Sequence, residues 1–182
     1  MTAREFDPFR LDVVAFANEA GELAGRWPLV GFDRIAESAV AGAPVTDADE
    51  VSWSARGETR QLRGGDVQFW MQVEAATQVS LECQRCLKPV TVPLQISRRF
   101  LFVHGEDAAA QLDADSEDDV LAITRALDLR ELIEDELLLA MPIVPRHEAC
   151  PEPLAPASDD ETLEERPNPF AALAALKRTN LN

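Results

Sequence analysis

The chain has 182 residues, 46% of them hydrophobic, enough for one moderate core with appendages or for two small domains. No apolar run reaches the length of a membrane span, Met1 to Phe9 lacks the apolar core of a signal peptide, and three cysteines make no disulfide framework, so a reducing cytoplasm fits best. A formal charge of −16 repels phosphate backbones except at a local patch, and suits a basic protein partner.

That charge is uneven. Residues 1–50 carry −6, residues 51–105 carry +3, residues 106–166 carry −15, and the last sixteen carry +2. In chain order, residues 10–25 read as an extended lead-in and then a helix. Asp12 is its cap, Val13, Phe16, Ala17 and Ala20 share one side, and Gly21, Gly25 and Pro28 break it. A second short helix from about Asp33 to Val40 gathers Ile35, Ala36, Ala39 and Val40. Val51 to Arg56 reads as a strand with Gly57-Glu58 as its turn. Gln61 to Arg63 follows, then Gly64-Gly65-Asp66 as a second turn.

Two long alternating runs come next. Val67, Phe69, Met71, Val73, Ala75, Thr77, Val79, Leu81 and Cys83 share one parity, as do Val90, Val92, Leu94, Ile96, Phe100 and Phe102 further on. Successive strand side chains point to opposite faces, so the pattern predicts an antiparallel meander of about four strands with one buried face. Trp53 and Trp70 read as core anchors. Arg56, Arg60, Arg63, Arg85, Lys88, Arg98 and Arg99 would decorate edges and tips, more as a solvated face than as a nucleic-acid site.

Between the long runs lies Cys83-Gln84-Arg85-Cys86, so its cysteines cap the predicted bend. Such a C-x-x-C pair can take two corners of a tetrahedral zinc site, and His147-Glu148-Ala149-Cys150 repeats the spacing far downstream. The bland alternative is that Cys83 and Cys86 are small packing residues and Cys150 is incidental. A redox reading would need a helix N-terminus to stabilise the thiolate, and Cys86 is followed by Leu-Lys-Pro-Val-Thr-Val-Pro, a turn and then a strand.

Gly105 to Asp119 is rich in Glu, Asp, Ala and Gln and reads as a mobile acidic loop, without the central glycine of a calcium loop. The best helix follows. Asp128 and Glu131 make a D-x-x-E capping pair, Pro142 stops the helix, and Leu129, Leu132, Ile133, Leu137, Ala140 and Met141 form its apolar stripe over the sheet. Glu131, Glu134 and Asp135 fall on the wet side as a solvated acidic face. Beyond Cys150, prolines and acids predict a disordered linker. Asn168 and Pro169 then open a short helix whose Phe170, Leu173 and Leu176 would either dock on a partner or fold back. The expected organisation is α+β: a helical segment over 1–50, the sheet, knuckle and acidic helix over 51–150, and a tail over 151–182.

Three stretches resemble the YceD family of large ribosomal RNA subunit accumulation proteins. They are Leu81-Glu82-Cys83-Gln84-Arg85-Cys86-Leu87-Lys88-Pro89; Ile133 to His147 with Cys150 beyond it; and Arg166-Pro167-Asn168-Pro169-Phe170 through Arg178. The resemblance implies a bacterial cytoplasmic protein that supports large-subunit ribosomal RNA accumulation and large-subunit assembly. It also implies a metal site, and it supplies no catalytic residue. The leading expectation is a factor that binds rather than catalyses. Glu131, Glu134 and Asp135 would hold a basic ribosomal or assembly protein, with Arg85 and Lys88 touching a second partner or RNA. Structural zinc would sit on Cys83, Cys86, His147 and Cys150. The competing readings are a zinc-dependent nucleic-acid-processing enzyme and a thiol redox protein.

Overall fold

The alternating runs form the strands their parity requires. In the computed structural model, which describes residues 5–152, β1 (Glu22–Pro28), β2 (Glu50–Gln61), β3 (Val67–Glu82), β4 (Pro89–Val103) and β5 (Asp119–Ala122) make one sheet in the order β1-β2-β3-β4-β5. The first four strands pair antiparallel and β5 runs parallel to β4, so the sheet is mixed and five-stranded. Helices α1 (Val13–Asn18), α2 (Asp33–Ser38), α3 (Glu106–Asp113) and α4 (Leu129–Leu139) complete an α+β unit spanning Met1–Cys150. The predicted tail helix with Asn168, Pro169, Phe170, Leu173 and Leu176 lies outside the described residues.

Three departures from the expected meander have physical causes. Gly57 is not a turn but the middle of β2, and after α1 ends at Asn18, ahead of Gly21 as expected, the residues to Pro28 form a strand, β1. A Cβ at Gly57 would stand 2.6 Å from the Phe16 carbonyl oxygen, so glycine there lets α1 cross tightly over the strand. The acidic segment after Gly105 is not a loop: it forms α3 and then β5. Its anchors are Ala109, buried against Trp70, Leu101 and Val120, and the Asp113 carboxylate, which accepts from the Val120 N–H at 2.9 Å. A parallel neighbour of β4 needs a crossover, and α3 supplies it.

The sheet's two faces are therefore covered unequally. Phe16, Phe32, Leu11, Ile35, Val51, Met71, Val73, Leu94, Phe100, Ile133 and Leu137 share the main core on one face. Each large apolar side chain buried there contributes about 1.5–3 kcal/mol of transfer free energy. Asp128 caps α4 as predicted, accepting from the N–H groups of Arg130 (2.9 Å) and Glu131 (3.1 Å). Among the described residues no helix is long and apolar enough to cross a membrane.

Candidate metal centre

The hairpin of β3 and β4 ends in a tight knuckle. The Leu87 N–H reaches the Cys83 carbonyl (2.8 Å) and the Cys83 N–H reaches that of Lys88 (3.0 Å), with Leu87 at φ 59°. Left-handed backbone at a leucine costs roughly 1–2 kcal/mol, and here it turns Cys83 and Cys86 toward the same point. α4 stops at Leu139, and the chain then runs back to the knuckle, where the Gln84 N–H donates to the Pro145 carbonyl at 2.9 Å. That bond sets the approach of His147 and Cys150.

The four side chains converge, with one ligand atom from each of Cys83, Cys86, His147 and Cys150 lying within 4.8 Å of the others. Cys83 Sγ is 3.9 Å from Cys150 Sγ, and Cys86 Sγ is 3.5 Å from His147 Nδ1. The cysteines are free thiols, with the Cys83–Cys150 sulfurs well beyond the ~2.05 Å of a disulfide. Tetrahedral zinc with Zn–S near 2.3 Å and Zn–N near 2.05 Å would place its sulfurs ~3.8 Å apart and sulfur to nitrogen ~3.5 Å apart. The Cys83–Cys150 and Cys86–His147 edges match those lengths, so the set could hold a metal ion.

Surrounding groups orient the donors. His147 Nε2 stands 3.0 Å from the Pro89 carbonyl, a contact that favours a proton on Nε2 and leaves Nδ1 facing the sulfurs. Arg85 donates from Nε to Cys150 Sγ (3.0 Å), and from its terminal nitrogen to the carbonyls of His147 (3.0 Å) and Glu148 (3.3 Å). Its positive charge would offset the excess negative charge of three thiolates if they held a divalent ion. Burial pushes the Cys83 thiol up, but main-chain hydrogen bonds from His147, Arg85 and Cys86 outweigh it and bring the thiol to about 5. Cys86 shifts the other way, raised by burial first and then by the neighbouring sulfurs. The Arg85 guanidinium is raised by its bond to Cys150.

Other predicted contact residues are placed differently from the expectation. Glu134 is not on a wet face. It is 9% exposed and accepts from the N–H of Arg34 (2.8 Å) and the Arg34 guanidinium (3.0 and 3.2 Å). Asp135 takes the other arm of Arg34 at 2.6 Å. Both acids join α4 to α2, Glu134 as a buried partner and Asp135 at the surface, so Glu131 and Asp135 keep the exposure expected of them. Arg85 is spent bracing the knuckle, while Lys88 is exposed beside it. Arg34 was the missed residue. Its signal was a lone cation on a short helix of a strongly acidic chain, too common a feature to assign a partner a hundred residues away.

The model of the family described as large ribosomal RNA subunit accumulation protein YceD matches residues 71–177, which take in most of β3, all of β4, the knuckle and all four converging side chains. Large ribosomal RNA subunit accumulation protein YceD of Haemophilus influenzae is 30% identical over 176 residues, covering 94% of this chain and 96% of that protein. No solved structure matches. The chain whose two long strands end in this cysteine knuckle belongs to the YceD family.

Proposed function

We propose that this chain supports accumulation of large-subunit ribosomal RNA in the bacterial cytoplasm as an assembly factor that binds and does not catalyse. Family membership supplies the process. The observation that carries the mode of action is the closed donor set of three thiols and one imidazole. Four protein ligands complete a tetrahedral zinc and leave no position for a catalytic water, the pattern of structural rather than catalytic sites. Zinc there would cross-link the strand bend to the segment after α4. One open groove of about 550 Å³ on the sheet is lined by Ser52, Ser54, Glu74, Ala76, Gln95 and Ser97, without a base beside the carboxylate. The partner best suited to a chain of −16 is a basic ribosomal or assembly protein, reached through Glu131 and its acidic surroundings, with ribosomal RNA engaged through that protein.

The test has two arms. Elemental analysis of chelator-free protein should give about one zinc per chain, lost in both Cys83→Ser and Cys150→Ser. Zinc retained by either variant would move the ligand set elsewhere. In a strain lacking the chain, large-subunit ribosomal RNA should fall and recover in proportion to the copies resupplied, as a binding factor requires. Full recovery at a small fraction of the copy number of assembling subunits would point to turnover and overturn the non-catalytic reading.

A further inference from the structure

The first strand has an outer side that nothing among the described residues covers. β1 is an end strand, paired to β2 through Glu22↔Arg56, Leu23↔Ala55, Ala24↔Ser54, Gly25↔Trp53 and Arg26↔Ser52. The bonds flanking this ladder fix its phase. The Gly57 N–H donates to Gly21 O at 2.9 Å, and the Leu29 N–H donates to Asp49 O at 2.7 Å. Residues of odd number therefore turn their main-chain groups toward β2. Glu22, Ala24 and Arg26 turn theirs away from it.

Folds usually protect such an edge with a bulge, a central proline, an inward charge or a very short strand. The opposite edge does so, since β5 has only four residues and Asp119 begins it. β1 has seven residues, a continuous register and its only proline at the last position. Its charges do not block it either, because they are arranged symmetrically about Ala24, with Glu22 two residues before it and Arg26 two residues after.

We infer that β1 is a self-association edge, pairing antiparallel with β1 of a second copy about a two-fold axis through Ala24. In this register Ala24 faces Ala24 of the second copy, Glu22 faces its Arg26, and Arg26 faces its Glu22. All three residues are those with outward main-chain groups, so every facing pair exchanges both hydrogen bonds. A shift by one residue would match outward groups with inward ones and lose the ladder. Side chains agree with the main chain. The Glu22 and Arg26 side chains are 65% and 72% exposed, and each already touches β2, Glu22 to Arg56 at 2.8 Å and Arg26 to Glu50 at 3.4 Å. Dimerisation would extend both contacts into a ladder of alternating charge, Arg56–Glu22–Arg26–Glu50, across the junction. On the inner face the half-buried Leu23 and Trp27, with the Phe9 ring tilted 5.4 Å from the Trp27 ring, add apolar surface. The overall repulsion between two chains of −16 is screened beyond about 8 Å at physiological salt, while the facing pairs lie within ~5.5 Å, Cα to Cα.

The test is sedimentation and light scattering of the full chain over a concentration series at physiological salt. Wild type should show a monomer–dimer equilibrium. Glu22→Arg and Arg26→Glu should each weaken it by roughly tenfold or more, since facing residues then carry like charge. Mixing the two variants should restore the dimer, because every facing pair is again opposite in sign. Ala24→Pro removes an outward N–H that β2 does not use, so the monomer should fold, by circular dichroism, and fail to dimerise. A wild type that stays monomeric, a dimer that survives Ala24→Pro, or single variants that are not rescued by mixing would each overturn the inference. So would an Ala24 amide whose exchange protection does not rise with protein concentration, which would mean that something other than a second copy covers it.

Discussion

The main core and the knuckle both tie α4 to the sheet, and they do it by opposite physics. Under α4, Leu129, Ile133 and Leu137 are fully buried against strands β3 and β4 and their neighbours. That attachment is non-directional and grows with area. Beyond α4, the chain is held by a few directional groups: Cys83, Cys86, His147 and Cys150, braced by Arg85 and the Gln84–Pro145 bond. The local apolar cluster is small, with Cys83, Cys86 and Val90 backed by Val92 and Cys150. An area-driven joint degrades gradually when trimmed. A joint made from converging donors around the proposed ion should open as a unit when that ion is withdrawn.

The sharpest way to break the comparison is therefore to strip the proposed zinc. Structural zinc contributes about 10–16 kcal/mol of apparent binding free energy in small peptides, so its removal should open the clasp completely. Hydrogen exchange should show the Gln84 and Leu87 amides losing their protection, while amides of β3 near Val73 keep theirs. Simultaneous loss of both would mean that the clasp and the core are one cooperative unit.

Ile133→Ala attacks the other joint. It should cost about 2–5 kcal/mol in urea unfolding followed by tryptophan fluorescence, with zinc content unchanged. A loss of zinc in this folded variant would show that the core positions the donors. Glu134→Gln comes next, with about 2 kcal/mol expected from the weakened bonds to the Arg34 N–H and guanidinium. A neutral result would mean that the acid is not needed where it is buried.

The smallest effect is expected at Glu136, buried one turn from the end of the same helix and 3.1 Å from Arg98. Burial raises its carboxyl above 4.5, more than Arg98 lowers it. The folded state thus holds that proton more tightly than the unfolded chain. The resulting stabilisation is present below 4.5 and lost as pH rises through the folded value. Glu136→Gln should therefore match wild type near pH 4 and be equal or slightly more stable at pH 7. A variant clearly less stable at pH 7 would show that the Arg98 pair outweighs its desolvation.

Much of this arrangement was legible in the chain. Alternation over Val67–Leu81 and Val90–Phe102 specified two long strands and their buried face, and two C-x-x-C-like spacings marked the residues that converge. The fifth strand escaped because the segment 105–119 was judged on its acidity. Its signal lay elsewhere, in Phe69-Trp70-Met71 and Phe100-Leu101-Phe102, where apolar residues of both parities show that both faces are covered at that end of the sheet. Trp70 and Leu101 sit opposite each other on the second face, and α3 covers it.

The sequence by itself determined what depends on local period and residue chemistry: strand faces, the Asp128 cap, the knuckle and the identity of its thiols. Tertiary structure decided which charges are solvated and which are spent. Glu131, Glu134 and Asp135 look alike along the chain, and only the arrival of Arg34 from α2 turns Glu134 into a buried partner while Asp135 pairs with it at the surface. It also decided that Gly57 serves a helix crossing and that Arg85 braces sulfur. Periodicity reports which way a side chain points; what it meets there is set by chain segments far away, whose placement is fixed only when the core is assembled.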